Sequence, residues 1–255
     1  MSNSLFSLDG KIAIVTGGKS GIGKAIALAF AEAGSDVIVC GRTIEDGELT
    51  AVADEIRDLG QRSLAVQADI TRRADIDNLV KRVIDEFGRI DILVNNAGVS
   101  IRGQLLKLSE EDWDRTMNTD LKGYFSCCQI VGRKMVEQKS GNIINISSDL
   151  TEKATPMMGA YIIAKAGVTM LTRMLAVELA RYNIRVNTIS PALIKTEMSA
   201  FAWHDPEIRK KFEMERPTGR LGEPSDVVGA AIFLASGASS YVSGHSILVD
   251  GGLHA

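Results

Sequence analysis

Lys11-Ile12-Ala13-Ile14-Val15 is an apolar run of strand length, and Thr16-Gly17-Gly18-Lys19-Ser20-Gly21-Ile22-Gly23 follows it at once. Residues 24–34 then place apolar side chains at helical spacing and end on a glycine, a common helix stop. Strand, glycine turn and helix in that order give a glycine motif its meaning. Glycines let the backbone turn tightly and approach a pyrophosphate, and the helix start supplies N–H groups and a positive dipole end. Gly17, Lys19, Ser20, Gly21, Ile22 and Gly23 are therefore candidate cofactor-binding residues. The bland alternative is a plain glycine-rich turn, and the flanking elements weigh against it.

Working outward, Asp36-Val37-Ile38-Val39-Cys40 reads as a second strand. In dinucleotide sites an acid at this strand's end commonly takes the ribose 2′-hydroxyl. Here the chain continues Gly41-Arg42-Thr43. No carboxylate stands there to repel a 2′-phosphate, and the planar fork of Arg42 suits one. Lys19 would add a second positive charge. The expectation is NADP(H) held with help from Arg42 and Thr43. NAD(H) is the alternative, with Arg42 stacked on adenine or solvated.

Residues 47–60 and 74–87 carry apolar side chains on one helical face. Between them, residues 63–68 read as a third strand running into Asp69 and Ile70. Asp69 fits either a bond to an adenine amino group or a helix cap. Residues 90–94 form a fourth strand ending in Asn95-Asn96-Ala97-Gly98. Small and amide residues at a strand's carboxyl end suit the ligand crevice of an open parallel sheet. Residues 110–138 predict one long helix, 142–146 a fifth strand, 156–180 another helix, and 184–189 a sixth strand that ends at Ser190-Pro191. Residues 193–217 have a different texture, with Met198, Phe201, Trp203, His204, Phe212 and Met214. A helix through Ala235 and a short strand at 246–249 close the chain. Strands and helices alternate from end to end without linker or repeat. That predicts one α/β domain over 1–255, with a doubly wound, seven-stranded, mostly parallel sheet and helices on both faces.

Chemistry concentrates between Ser147 and Lys165. Ser147 and Ser148 end the fifth strand. Tyr161 and Lys165 stand four apart at the start of the next helix, so their polar ends share one face. A hydroxyl, a phenol and an ammonium thus converge at the mouth of a sheet.

Bulk composition excludes other classes. The 255 residues are 45% hydrophobic and 24% charged, with net charge -3, which gives no basic footprint for nucleic acid. No apolar run looks long and unbroken enough for a membrane span, and the N-terminus lacks the basic and apolar regions of a signal peptide. Cys40, Cys127 and Cys128 are odd in number and lack metal or redox spacing. They read as reduced, mostly buried thiols of a cytoplasmic protein, and no metal site is expected.

With these pieces placed, the chain resembles the short-chain dehydrogenase/reductase family, of Rossmann-type fold, over essentially its whole length. Thr16-Gly17-x-x-x-Gly21-Ile22-Gly23 is similar to that family's cofactor turn, and Asn95-Asn96-Ala97-Gly98 to its fourth-strand motif. Ser148 stands before Tyr161-x-x-x-Lys165 as in many members. The resemblance implies an NAD(P)(H)-dependent oxidoreductase that interconverts ketones and secondary alcohols. Tyr161 would exchange the proton, Ser148 would bond the substrate oxygen, and Lys165 would favour the phenolate and hold the nicotinamide ribose. Cofactor contacts would also fall to Asp69, Ile70, Asn95, Ala97, Gly98, Pro191, the Ile194 backbone and Thr196. Members are often homotetramers. Helices from residues 110 and 156 and the stretch 241–253 are candidate contact surfaces.

Two positions depart from the family pattern. Asp120 stands where an asparagine usually helps to hold a relay water, and Pro191-Ala192 replaces Pro-Gly. An ionised Asp120 should raise the Tyr161 pKa and move the activity optimum to the alkaline side. The substrate is expected against residues 193–217, with Met157, Met158, Leu193, Phe201 and Trp203 as an apolar wall and Arg102, Lys153 and His204 at the rim. Acyl, sugar or polyol, and cyclic ketones all remain open. The competing readings are an NAD(H)-dependent sugar, polyol or hydroxy-acyl dehydrogenase, and a non-catalytic nucleotide-binding regulator.

Overall fold

The apolar runs become buried strands: β1 Ile12–Thr16, β2 Asp36–Gly41, β3 Ser63–Gln67, β4 Ile92–Asn95, β5 Gly141–Ile146, β6 Ile184–Pro191 and β7 Ser246–Val249. In the computed structural model, which describes residues 5–255, they form one sheet in the order β3-β2-β1-β4-β5-β6-β7. Every adjacent pair is parallel. Alternate residues of β1 feed two apolar cores. Ile12 and Ile14 join Ile76, Leu79 and Tyr124 on one face, while Ala13 and Val15 join Ile26, Phe30 and Val227 on the other. Both faces need cover, which is why the strands read as continuous apolar runs.

Between the strands lie α1 Gly21–Glu32, α2 Glu48–Asp58, α3 Arg73–Phe87, α4 Glu110–Met117, α5 Tyr124–Gln138, α6 Gly159–Leu179, α7 Pro206–Met214 and α8 Pro224–Ala235. The chain moves outward from β1 through β2 to β3, then returns to the other side of β1 as β4. That reversal opens a crevice at the strands' carboxyl ends.

The expected single helix over 110–138 is not uniform. A π-helical turn at Asn118–Gly123 separates α4 from α5, and such single wide turns gather at functional sites. Asp120 lies in it, fully buried. α6 starts at Gly159 instead of 156, because Met157 adopts a left-handed φ of 70°. With its 3-10 extension this helix, Gly159–Tyr182, is long and apolar enough to cross a membrane by length and composition, contrary to the sequence expectation. Its inner face, through Ala164, Lys165, Val168 and Thr172, is nevertheless buried within the fold.

Candidate active site

A cavity of about 1010 Å³ lies over the carboxyl edge of the sheet, running from the glycine turn to the loops around residues 193–217. Its first half is shaped for close approach by a ligand backbone. Gly17 has φ +64°, and a Cβ there would stand 2.9 Å from the Ala97 Cα. A Cβ on Gly23 would lie 2.2 Å from the Gly17 carbonyl oxygen, so α1 can begin only against a bare turn. Asn96 fastens this turn from β4: its Nδ2 donates to the Thr16 and Gly17 carbonyls at 3.0 and 3.1 Å. Ser20 caps α1 without a side-chain bond, and the first turn holds no acid. The leading N–H groups therefore face the cavity with their dipole uncompensated, and the residues present fit a dinucleotide pyrophosphate.

Arg42 and Thr43 line the far end of this half, with the Arg42 guanidinium exposed. Lys19 lines it too, but its ammonium is paired with Asp46 at 2.7 Å and Glu48 at 3.0 Å. The expected second free cation is thus partly neutralised. Asp69 does not cap α3, whose N-cap Arg72 makes no side-chain capping bond; its Oδ1 accepts from the Thr71 backbone and hydroxyl at 2.9 and 2.7 Å in the turn before that helix, and the residue lines the cavity. Ser20, Gly21, Ile22, Ile70, Ala97, Gly98, Pro191, Ile194 and Thr196 all reach the cavity wall. Asn95 does not. Its amide is fully buried and donates to Asn145 Oδ1 at 2.8 Å, because side chains alternate along β4 and this one points into the sheet-facing core. Gly23 also misses the wall and serves by letting helix and turn pack closely.

The second half gathers Ser148, Tyr161 and Lys165, the groups expected from the sequence to handle a proton. Lys165 is only 3% exposed. Its ammonium donates to the Ile146 carbonyl at 2.9 Å and to the Tyr124 hydroxyl at 3.1 Å. It sits over the Tyr161 ring, 5.7 Å from the centroid and without a direct bond to the phenol. Burial pulls the Lys165 pKa below its ordinary value, and the Asp120 charge opposes this. Tyr161 is pushed well above the usual phenol range, chiefly by burial and then by Asp120, with the Ser148 hydroxyl acting the other way. Asp120 itself is pushed up to about 6 by burial, against Lys165 and the Val99 N–H. Its Oδ1 accepts that N–H at 2.9 Å, while Oδ2 is buried with no partner among the described residues. A Cβ on Gly98 would meet Asp120 Oδ1 at 2.8 Å and Lys165 Nζ at 3.7 Å, so only glycine lets the two groups converge there.

The wall beyond Ser148 differs in part from the sequence expectation. Met158, Leu193 and Phe201 line it, with Arg102 and Lys153. Met157 is exposed at its left-handed φ. Trp203 spends its indole N–H on the Thr196 carbonyl at 3.0 Å and meets His204 edge-on, and neither reaches the cavity. Three residues that no motif marks do reach it: Asp149, Arg216 and His254. They come from three remote segments, which is why spacing gave no signal. The cysteines are buried, and burial raises the Cys40 and Cys128 thiols to about 12, as inert thiols require.

Residues 17–254 match the family model described as Enoyl-(Acyl carrier protein) reductase. The chain is 46% identical over 250 residues to a (2S)-[(R)-hydroxy(phenyl)methyl]succinyl-CoA dehydrogenase subunit of Thauera aromatica, covering 96% of this chain and 97% of that one. It is 40% identical over 250 residues to the 2-dehydro-3-deoxy-D-gluconate 5-dehydrogenase of Escherichia coli, covering 98% and 97%. Among solved structures, it superposes with a TM-score of 0.94 and 35% identity on a gluconate 5-dehydrogenase from Burkholderia cenocepacia J2315 in complex with NADP and tartrate, covering 99% and 98%. Matched along nearly its whole length by sequence and by fold, the chain belongs to the short-chain dehydrogenase/reductase family.

Proposed function

We propose that this oxidoreductase interconverts a ketone and a secondary alcohol with NADP(H), using Tyr161 as acid and base, Ser148 to hold the substrate oxygen, and Lys165 and Asp120 to set the charge around them. The observation that carries the reading is one cavity shared by the bare glycine turn and by Ser148, Tyr161 and Lys165. Gly17, Ser20, Gly21, Ile22, Ala97 and Gly98 would seat the cofactor, with Pro191, Ile194 and Thr196 closing over it. When bound, the nicotinamide supplies or takes up the hydride. The Tyr161 oxygen passes its proton to the substrate oxygen in reduction and takes it back in oxidation. Ser148 donates a hydrogen bond to that oxygen and fixes its approach. Lys165, anchored by Ile146 and Tyr124, brings a cation beside the phenol and favours the phenolate.

Following nicotinamide absorbance across a panel of ketones and alcohols, with both cofactors, tests the reading. Turnover with NADPH preferred supports it, and cofactor binding without turnover of any carbonyl would sink it. NAD(H) keeps one observation in its favour, the pairing of Lys19 with Asp46 and Glu48, which weakens the positive field at the 2′ position.

The reading treats 1–255 as a single domain, with 193–217 as the substrate-loop segment. It includes a homotetramer, supported by exposed apolar side chains on α5 and α6 such as Phe125, Ile163, Met170, Met174 and Val177. Light scattering on the purified protein would test that, and a monomer would reject it. Buried, unpaired thiols support a reducing, cytoplasmic setting. Cell fractionation checks it, and recovery outside the cytoplasm would reject it.

A further inference from the structure

Arg216 is 8% exposed, yet little of its guanidinium is satisfied. Nη1 donates to the Phe212 carbonyl, and Nε is buried with no hydrogen-bond partner. No protein acceptor bonds the Nε and Nη2 edge among the described residues, although the side chain lines the substrate half of the cavity. Burying an unpaired charged donor is costly. Such a group in a cavity wall is accounted for if a ligand brings the acceptor, and the planar fork of arginine matches a carboxylate.

The surroundings narrow the ligand further. Asp149, one residue past Ser148, is 4% exposed. Its Oδ1 accepts from the Ser148 hydroxyl at 3.3 Å, and its Oδ2 lies 3.3 Å from His254 Nε2. His254 is delivered by the C-terminal turn, where Asp250 accepts the Gly252 and His254 N–H groups at 3.0 and 2.9 Å. Glu197 and Glu215 also line this end, balanced by Arg102 and Lys153. Arg102 lies over the Phe201 ring at 4.2 Å, and Phe201 meets Phe212 edge-on at 6.3 Å. Acids and bases are thus interspersed. A bare apolar chain would leave the Arg216 Nε unpaired, and a bare dianion would meet Asp149. A molecule with one carboxylate and hydroxyl groups satisfies both signs.

We propose that Arg216, Asp149 and His254 form the recognition end of the substrate site, and that it takes a hydroxylated keto acid or its alcohol, carboxylate on Arg216 and hydroxyls on Asp149 and His254. This deepens the ketone/alcohol reading above and rests on it.

The wild-type enzyme with NADPH is offered matched pairs: levulinate against levulinamide, and 5-keto-D-gluconate against the neutral ketose D-fructose. The acid of each pair should show kcat/KM higher by about 10- to 100-fold, the scale of a charge-assisted hydrogen bond. In Arg216→Met the acid advantage should fall to near one, and Arg216→Lys should restore part of it. A second arm uses Tyr161→Phe loaded with NADP+, in which calorimetry reads binding of 5-keto-D-gluconate without turnover. Its affinity should drop at least about 10-fold when Arg216→Met is added. Equal rates for acid and neutral partner in the wild type would overturn the proposal whatever becomes of the variants. If no ketone is turned over, the oxidoreductase mechanism fails, and the calorimetric arm still decides this one: Arg216-dependent binding supports it and Arg216-independent binding overturns it.

Discussion

At the cofactor half of the cavity, the groups that shape the wall sit where a strand ends or a helix begins. Gly17 follows β1, Gly21 opens α1, Arg42 follows β2 and Ala97 follows β4. At the substrate half, Asp149, Arg216 and His254 come from three separate segments, with Asp149 and His254 joined to each other, the His254 N–H held by Asp250, and Arg216 bonded to the Phe212 carbonyl. The sheet register fixes the first set, so each position is tied to an element whose packing cannot shift. The second set rests on loops that can change length and side chains without disturbing the sheet. Under the proposed function, the cofactor would meet positions fixed by the sheet, and the substrate would meet loops free to vary.

The sharpest way to break this contrast is to remove the phenol at the boundary between the halves. Tyr161→Phe should lower kcat by about 100- to 10,000-fold, the usual worth of a placed acid or base. Single-turnover reduction of a good ketone measures it. A variant within a few-fold of the parent would move the proton chemistry elsewhere.

Rigidity of the cofactor half is tested next. Gly23→Ala puts a Cβ 2.2 Å from the Gly17 oxygen and 2.5 Å from Asn96 Nδ2, both fixed by the turn. Overpacking there should cost about 1–3 kcal/mol of stability and cofactor affinity on the order of 100-fold. Gly219, in the substrate-side loop, has open space around its Cβ position and only its φ of +68° to lose. Gly219→Ala should cost about 1 kcal/mol and leave cofactor affinity within two-fold. Thermal melts and cofactor titration compare the two, and equal losses would erase the distinction.

Within the cofactor half, Arg42→Ala should raise the KM for NADPH by about 10- to 100-fold and that for NADH by far less. Lys19→Ala should do less than Arg42→Ala, because Asp46 and Glu48 already hold its ammonium. Steady-state rates with both cofactors settle the order. A larger effect at Lys19 would mean that these surface pairs dissolve when a phosphate arrives.

The same contrast explains what the sequence disclosed. Thr16 to Gly23, Asn95 to Gly98 and Tyr161/Lys165 are readable because each is a short run whose spacing is set by one element. The run at 95–98 was readable as a unit but not by residue. Strand alternation turns Asn95 into the core towards Asn145 and leaves Asn96 to tie the turn. The π turn around Asp120 was not legible because, although one extra residue rotates the downstream apolar face by about 100°, the short α4 before it buries only Thr116 and so offers no apolar stripe against which to see the change. Arg216 and His254 were invisible because their meaning lies in loop packing far from any motif.

Asp120 offers the smallest effect on rate and tests how a buried charge acts on the phenol at that boundary. Burial lifts its carboxyl from the ordinary 3.8 to about 6, so near neutral pH it is mostly ionised. That charge adds to the upward pressure on Tyr161. Asp120→Asn removes it, so the phenol gives up its proton more easily. The rising limb of alcohol oxidation should then move to lower pH by about half a unit to one unit. Stability carries an independent sign. The folded carboxyl holds its proton more tightly than the unfolded one, so the parent loses stability as pH climbs from about 4 to about 6 and does not regain it above. The asparagine variant has no such loss, and its advantage should grow across that window and then stay flat. A shift from 3.8 to about 6 bounds the gain at about 3 kcal/mol, and the lost counter-charge at Lys165 will reduce it. Urea melts at about pH 4.5 and about pH 7.5, beside the two rate profiles, separate the signs. Rate profiles that coincide would show that Asp120 acts on the Val99 backbone alone and leaves the phenol to Ser148 and Lys165.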